Sequence, residues 1–333
     1  MLARTRRFAS FPPSALKIVT EKELESLKKR ILIEMGQPMR DALLDPRTVE
    51  VVLNTDGKVW VEKMGEEFVH ICDMTQINSL TLFNSIAHSL GEVVNSQHPI
   101  LEGRLIVNGA RFEGCIPPIV DAPVFALRNK ATQVFSLEDY VASGSLTEAQ
   151  NHAIQNAISN HRNILVVGST GSGKTTFANA VLDAIARTFP NARLVTMEDT
   201  PELQISVPNY VSLYTSMTVT MRDLLKATMR LRPDKIVMGE TRGGEALDLL
   251  KAWNTGHSGG ISTVHANSAY AGLTRLEELC AEATERHMGN LISEAVNLVV
   301  FIHKHPGSGR KIDEIITING YNEQTKKYEY TTL

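Results

Sequence analysis

The string Gly168-Ser169-Thr170-Gly171-Ser172-Gly173-Lys174-Thr175, followed by Thr176, satisfies G-x-x-x-x-G-K-[ST] at every position. The chemistry that needs this pattern is phosphate binding. Glycines let successive backbone N–H groups turn inward around the phosphates, and a helix N-terminus beyond them adds its positive dipole end. Lys174 can reach β- and γ-phosphates, and the Thr175 hydroxyl suits a metal ion, so the implied ligands are ATP and Mg²⁺. The flanks agree with the motif. An apolar run, RNILVVG, precedes it and a helical pattern from Lys174 to about Thr188 follows. An ordinary glycine-rich turn would require neither flank.

Three downstream features narrow the reaction. The run ARLVTME ends in Glu198-Asp199, with Glu202 close behind. An acidic cluster at the C-terminal end of a strand faces the nucleotide crevice of an open α/β sheet and can orient or deprotonate a water. Next, Lys235-Ile-Val-Met-Gly239-Glu240 is an apolar strand ending in a carboxylate, the layout of a Walker B strand. The simplest version ends in Asp; here Gly239 takes the penultimate place, and Glu240 fits either a metal-shell or a water-activating role. Finally, the run Gly260-Ile-Ser-Thr-Val-His265-Ala-Asn267 puts His265 at a strand end with Ser262, Thr263 and Asn267, and with His257 just before. A lone histidine is more often structural; one in this company can bond the γ-phosphate region.

The elements that must position these groups alternate. After RNILVVG come the helix from Lys174, the strand ARLVTME, the helix MRDLLKATMRL, the strand KIVMGE, the helix GEALDLLKAWN and the strand GISTVHA. Such alternation predicts a largely parallel sheet wrapped by helices. NLVVFIHKH, KIDEIITING and KYEYTTL then read as antiparallel strands. Upstream, EKELESLKKRILIEM opens a helix without a breaker that runs to about residue 44, and VEVVLNTDGKVWVEKM reads as a hairpin. Residues 78–89 read as helix, GRLIVNGARFEGCIPP as two strands joined at Asn108-Gly109, and PVFALRN as another strand. The expected organisation is a flexible start over 1–20, an α+β domain over 21–132, a linker over 133–146 containing SLEDYVASGS, and an α/β P-loop domain over 147–333. Its first helix begins at Thr147, where Gln150 completes a T-x-x-Q capping box.

The 333 residues favour two domains over one, and 43% hydrophobic with 21% charged residues is ordinary globular composition. A net charge of −3 gives no global basic field for nucleic acid or anionic lipid. Cys72, Cys115 and Cys280 stand far apart, with no zinc spacing, which predicts reduced thiols. No apolar run reaches bilayer length, and MLARTRRFASFPPSA has no apolar h-region. The expected location is cytoplasmic, with contact at the inner membrane peripheral at most. Arg4, Arg6 and Arg7 read as a solvated tail, everything before Pro12 as loose.

Together the loop GSTGSGKT, the acidic box TMEDTPEL, the segment RPDKIVMGETRGGEA and the histidine box STVHANS resemble the secretion-ATPase superfamily. These enzymes drive type II and type IV secretion, type IV pili and conjugation. The resemblance covers residues 20–330, with motif order and spacing matching too, and is closest to the conjugative-transfer ATPases of type IV secretion systems. It implies a hexameric ring of two-domain subunits, a RecA-like motor domain preceded by a PAS-like one, with nucleotide between them. It also implies phosphate binding by 168–175, Glu198 as catalytic carboxylate, Glu240 as the Walker B carboxylate and His265 in the histidine box. NGARFEG and FALRNK resemble segments that supply phosphate-facing arginines, here Arg111 and Arg128, whereas Arg104 and Arg275 read as surface charges. Where relatives often carry Arg-Lys, this chain has Arg128-Asn129, with Lys130 one place later. The four-cysteine zinc module common in the type II and pilus-extension branches is absent from the sequence.

The resemblance thus implies an ATP-hydrolysing motor for pilus assembly or substrate transfer, with components of an envelope-spanning complex as partners. Pilus retraction is a rival role. A RecA-like nucleic-acid motor would need a basic and aromatic lining for single strands, and 6% aromatics at near-neutral charge offer none. A nucleotide-gated scaffold with little turnover is opposed by Glu198 and Glu240 both being present.

Overall fold

The computed structural model describes residues 21–64, 66–129, 134–216, 218–305, 307 and 309–333. Arg4, Arg6, Arg7, the segment before Pro12 and Lys130 lie outside the described residues. The chain separates between Lys130 and Ala131 into two compact units.

In the first unit, helix α1 (Glu21–Leu44) contains a break that its amphipathic pattern does not announce. Gly36 sits at φ 75°, ψ 166°, open to glycine but strained for other residues, and two helical pieces meet there. Strands β1 (Thr48–Leu53), β2 (Lys58–Lys63), β3 (Val69–Asp73), β4 (Ile100–Arg104), β5 (Arg111–Cys115) and β6 (Val124–Arg128) form one sheet in the order β3-β2-β1-β6-β5-β4. Helix α2 (Gln76–Leu90) is capped by Thr75, whose hydroxyl accepts from the Asn78 N–H. The core gathers Phe83, Phe112, Phe125 and Leu127 beneath α1 and α2. The hairpin expected at Asn108-Gly109 is present, but its first strand ends at Arg104. Leu105 is fully buried and its N–H donates to the Ala110 carbonyl, so Leu105-Ile106-Val107 turns instead of pairing.

In the second unit, the segment read as a linker contains helix α3 (Leu137–Ala142), closed by a capping box between Ser136 and Asp139. Leu137 is buried in the core and Tyr140 packs edge-on to Phe177 at 5.2 Å, so this stretch belongs to the unit. Helix α4 (Glu148–Ser159) starts at the Thr147–Gln150 capping box. Then follow β7 (Ile164–Val167), α5 (Lys174–Thr188), β8 (Leu194–Glu198), β9 (Tyr210–Tyr214), α6 (Met221–Thr228), β10 (Lys235–Met238), α7 (Glu245–Asn254), β11 (Ile261–Val264), α8 (Ala269–Ala281) and α9 (Gly289–Ala295). Strands β12 (Leu298–His305), β13 (Gly309–Asn322) and β14 (Lys327–Thr332) close the unit.

The sheet order is β14-β13-β12-β7-β11-β10-β8-β9, parallel from β12 to β9 and antiparallel at β12-β13-β14. Strand residues alternate between two cores. Leu165, Val167, Ile236 and Met238 join the cluster beneath α7 and α8, whereas Ile164, Val166 and Val237 join that beneath α4 and α5. Burial on both faces is what makes these strands continuous apolar runs. All the parallel strands deliver their C-terminal ends to one edge, where an open α/β sheet binds its ligand.

One buried charge lies at the other edge. Lys235 opens β10 at 2% exposure, its Nζ 3.2 Å from His161 Nδ1 and 4.4 Å from the Phe189 ring centroid. Burial, only partly offset by Asp234, lowers its pKa from 10.5 to about 8. The unfolded chain therefore binds more protons than the folded one between those values, and stability rises as pH climbs through that window. Near neutral pH the full cost of the buried charge applies. We expect Lys235→Met to raise stability at neutral pH by about 2 kcal/mol. Urea midpoints at about pH 7 and about pH 9.5 check this, with the wild type alone gaining at the higher pH. Equal midpoints for the two proteins at neutral pH would contradict the assignment.

Candidate nucleotide site

The loop 168–173 leaves the C-terminal end of β7 and enters α5 directly. Gly171 at φ +71° and Gly173 at φ +97° hold left-handed backbone that any side chain would strain. A Cβ at Gly168 would also meet Ser172 Oγ and the Ile302 carbonyl, so the Ser172 side chain and the β12 backbone leave no room there. Gly173 is the N-cap of α5 and supplies no side-chain cap to its first N–H groups. Those donors are the orphans that an anion satisfies. Ser172 Oγ is buried without a hydrogen-bond partner, and Thr175 and Thr176 lie half-buried in the first turn. The residues present therefore fit a polyphosphate.

Lys174 is 7% exposed, and its Nζ donates to the Ser169 carbonyl at 3.1 Å and lies 3.1 Å from His265 Nδ1. On the other side of that ring, His265 Nε2 stands 2.7 Å from Glu240 Oε1. Glu240 Oε2 accepts from Arg242 Nη2 at 2.7 Å, and Arg242 Nη1 reaches Asp199 Oδ2 at 3.5 Å. A polar chain thus runs from the phosphate loop across the ends of β11, β10 and β8. The His265–Glu240 contact is short but poorly directed for a hydrogen bond, which makes it the loosest link.

The electrostatics fix the charge states. Burial and then the Lys174 charge lower the His265 pKa, and the opposing pull of Glu240 does not restore it, so the ring is neutral at pH 7. The tautomer that suits both neighbours carries its proton on Nε2, leaving Nδ1 to accept from Lys174. For Glu240, burial acts upward, but the Arg242 hydrogen bond and charge, with His265 and Lys174, outweigh it and hold the carboxyl below its ordinary value. Glu240 is an ionised acceptor.

Glu198, at the end of β8, is 3% exposed. Its Oε1 accepts the N–H groups of Glu202 and Leu203 at 2.7 and 2.8 Å, which pins the acidic turn and orients the carboxylate. Gly239 lies against it: a Cβ there would sit 3.0 Å from Glu198 Cγ, so the glycine that breaks the Walker B pattern makes room for the neighbouring strand's carboxylate. Thr263 Oγ1 donates to the Gly239 carbonyl at 2.8 Å, and Ser262 pairs with Thr241 at 2.8 Å. Both histidine-box hydroxyls therefore tie β11 to the Glu240 turn. Asn267 is exposed beyond the strand, and His257 precedes β11, at the sheet edge away from the loop.

Two residues near the loop carried no role in the sequence reading. Arg242 sits inside the quoted RPDKIVMGETRGGEA string and could have been flagged by its charge beside Glu240. Arg310 could not: it comes from β13, and its Nε donates to the Gly171 carbonyl at 3.3 Å only because β12 pairs with β7. In the first unit, Arg111 and Arg128 are direct cross-strand partners, and Arg104 faces Arg111 across β4–β5. Cross-strand partners share a sheet face. The three arginines form a cationic row, ended by Glu50 opposite Arg128. Arg104, read as an ordinary surface charge, is part of it. Arg275 does pair locally, with Glu278 on its own helix at 2.8 Å.

Residues 96–313 match the family described as type II/IV secretion system protein. Conjugal transfer protein TrbB of Rhizobium radiobacter is 46% identical over 91% of this chain and 94% of its own length. A probable TrbB of Sinorhizobium fredii is 45% identical over 89% of this chain and 90% of its own. Among solved structures, the ATPase DotB of Yersinia pseudotuberculosis covers 85% of this chain and 80% of its own, with a TM-score of 0.64 at 15% identity, a likeness of fold. The RecA-like unit that follows a smaller α+β unit in the sequence, the phosphate loop and these relatives agree: the chain belongs to the type II/IV secretion system protein family, on the branch of the conjugal-transfer ATPases.

Proposed function

We propose that this protein is the ATP-hydrolysing, Mg²⁺-dependent motor of a conjugative type IV transfer system. The observation that carries the reading is the polar chain Lys174–His265–Glu240–Arg242, standing over a helix N-terminus without a side-chain cap. The named relatives are conjugal transfer proteins, and this chain covers nearly all of their length.

In this reading ATP places its phosphates on the N–H groups of 168–175. Lys174 exchanges its contacts with Ser169 and His265 for phosphate oxygens, where its point charge stabilises the transferring group. Thr175 and Glu240 would hold Mg²⁺, which would supply charge neutralisation at the phosphate oxygens. Glu198, fixed by two backbone N–H groups, orients the attacking water and takes its proton. His265, neutral and set between Lys174 and Glu240, reports whether the terminal phosphate is present. Arg111 and Arg128 supply further positive charge to the phosphates; their cross-strand pairing supports the role by concentrating charge on one sheet face.

Continuous force requires subunits that act against one another, and a heterologous interface that closes gives a ring. We assign a hexamer at the cytoplasmic face of an envelope-spanning complex, docked through partner proteins. No helix among the described residues is long and apolar enough to cross a membrane, which supports docking over insertion. Mass measurement with ATP and Mg²⁺ should give a closed ring of six chains, and chelation of Mg²⁺ should stop hydrolysis. A persistent monomer at micromolar concentration, or hydrolysis unaffected by chelation, would overturn the assignment.

A further inference from the structure

The β12–β13 hairpin carries a second cluster that nucleotide chemistry does not use. Strand residues alternate faces. Ile302 packs toward the phosphate loop, where its side chain approaches Gly168 and Gly173, and Arg310, opposite Lys304, bonds the Gly171 carbonyl. His303 and His305 therefore project from the other face, as Phe301 does, and the Phe301 and His303 rings lie 5.9 Å apart.

The pairing register shifts between Phe301 and Ile302: Ile302 faces Ile312, whereas Phe301 faces Glu314. Asp313 is the extra residue of this β-bulge. Two residues on from Lys311, which pairs with His303, Asp313 keeps the histidine face, and the bulge leaves it without a partner of its own on β12. His305 Nε2 lies 2.8 and 2.9 Å from the two Asp313 oxygens, and His303 Nδ1 lies 3.5 Å from Oδ2. The imidazoles stack with centroids 4.7 Å apart at 28°. One donor atom from each residue falls within 4.8 Å of the others.

We propose that His303, His305 and Asp313 bind a divalent transition-metal ion of the zinc class on the hairpin face turned away from the phosphate loop. Two imidazole nitrogens and one carboxylate oxygen are a three-ligand set that zinc takes with water in the fourth position. Nitrogen donors select zinc, nickel, cobalt or copper over Mg²⁺ and Ca²⁺, so the nucleotide's own metal does not compete here. Tetrahedral bonds of about 2.1 Å need donors about 3.4 Å apart. The His303–Asp313 contact at 3.5 Å already meets that spacing, the His305–Asp313 contact at 2.8 Å has to open slightly, and the half-exposed rings can turn to close the rest. Lys311 shares this face opposite His303 but is exposed, so water screens its charge. The same strands carry Ile302 and Arg310 onto the phosphate loop, so a bound ion braces the hairpin beside the nucleotide site.

The test uses tag-free, full-length protein stripped with a chelator and titrated with Zn²⁺ against a chromophoric zinc indicator. One equivalent per chain should bind, and Co²⁺ in its place should give the visible absorption of a tetrahedral site. His303→Ala and His305→Ala should each weaken binding by at least about tenfold, and Asp313→Asn by a comparable factor. His287→Ala should leave it unchanged, because His287 stands outside this cluster, with Glu277 at 3.9 Å. His303→Gln and His305→Gln, which keep the surface polar, guard against variants that misfold. Absence of stoichiometric Zn²⁺ binding, or binding that survives both histidine replacements in folded protein, overturns the site.

Discussion

Lys174→Ala should reduce ATP hydrolysis by about 10³-fold or more, the largest effect of any single substitution in the chain. The ammonium is held by the phosphate loop's own backbone, through the Ser169 carbonyl, and is 7% exposed. Its removal takes away the charge that moves onto the β- and γ-phosphates. The fold should survive, because α5 keeps Phe177, Val181 and Ile185 in the core. Loss of the ammonium also removes one cause of the low His265 pKa, so that ring should titrate nearer its ordinary value. Steady-state hydrolysis, with circular dichroism as the folding control, measures this. Turnover comparable to wild type in the folded variant would remove the phosphate loop from the chemistry.

Glu198→Gln and Glu240→Gln should each lower kcat by about 10²-fold or more while nucleotide binding is kept, with the larger loss at Glu198. The two carboxylates differ in what surrounds them. A glutamine at 198 can still accept the Glu202 and Leu203 N–H groups through its amide oxygen, so the turn holds and only charge and proton acceptance are lost. A glutamine at 240 can still accept from Arg242, but the negative charge that faces Arg242, His265 and Lys174 disappears. Its ionised state, held below the usual carboxylate range, suits charge stabilisation more than proton uptake, and this is why Glu198 is given the larger effect. Equilibrium binding of a fluorescent ATP analogue beside initial rates separates the two quantities. Binding lost with kcat intact at either position would contradict these roles.

Much of this site can be read directly from the chain because its signals are local. The phosphate loop, β7 before it and α5 after it are contiguous, and the capping box at Thr147 fixes the start of α4 within one turn. Ser136-Leu-Glu-Asp139 carries the same kind of capping signal, and it starts α3 inside the segment expected as a linker. The polar chain beyond Lys174 is a different matter. It depends on β11 and β10 lying between β7 and β8, an order no local pattern encodes. Arg310 on the loop follows from the pairing of β12 with β7 and β13, and Asp313 among the histidines from the β12–β13 register. Leu105-Ile106-Val107 misled for the opposite reason: the residues suit a strand, but burial of Leu105 beneath the sheet overrides their preference.

If hydrolysis at this phosphate loop drives transfer, mating shows it, with donor cells whose copy carries Lys174→Ala, scored for transfer frequency and for plasmid copy number. Transfer should fall by orders of magnitude while copy number stays at the wild-type level. Wild-type transfer from donors whose variant is present and inactive in hydrolysis, or failed replication with transfer intact, would contradict it.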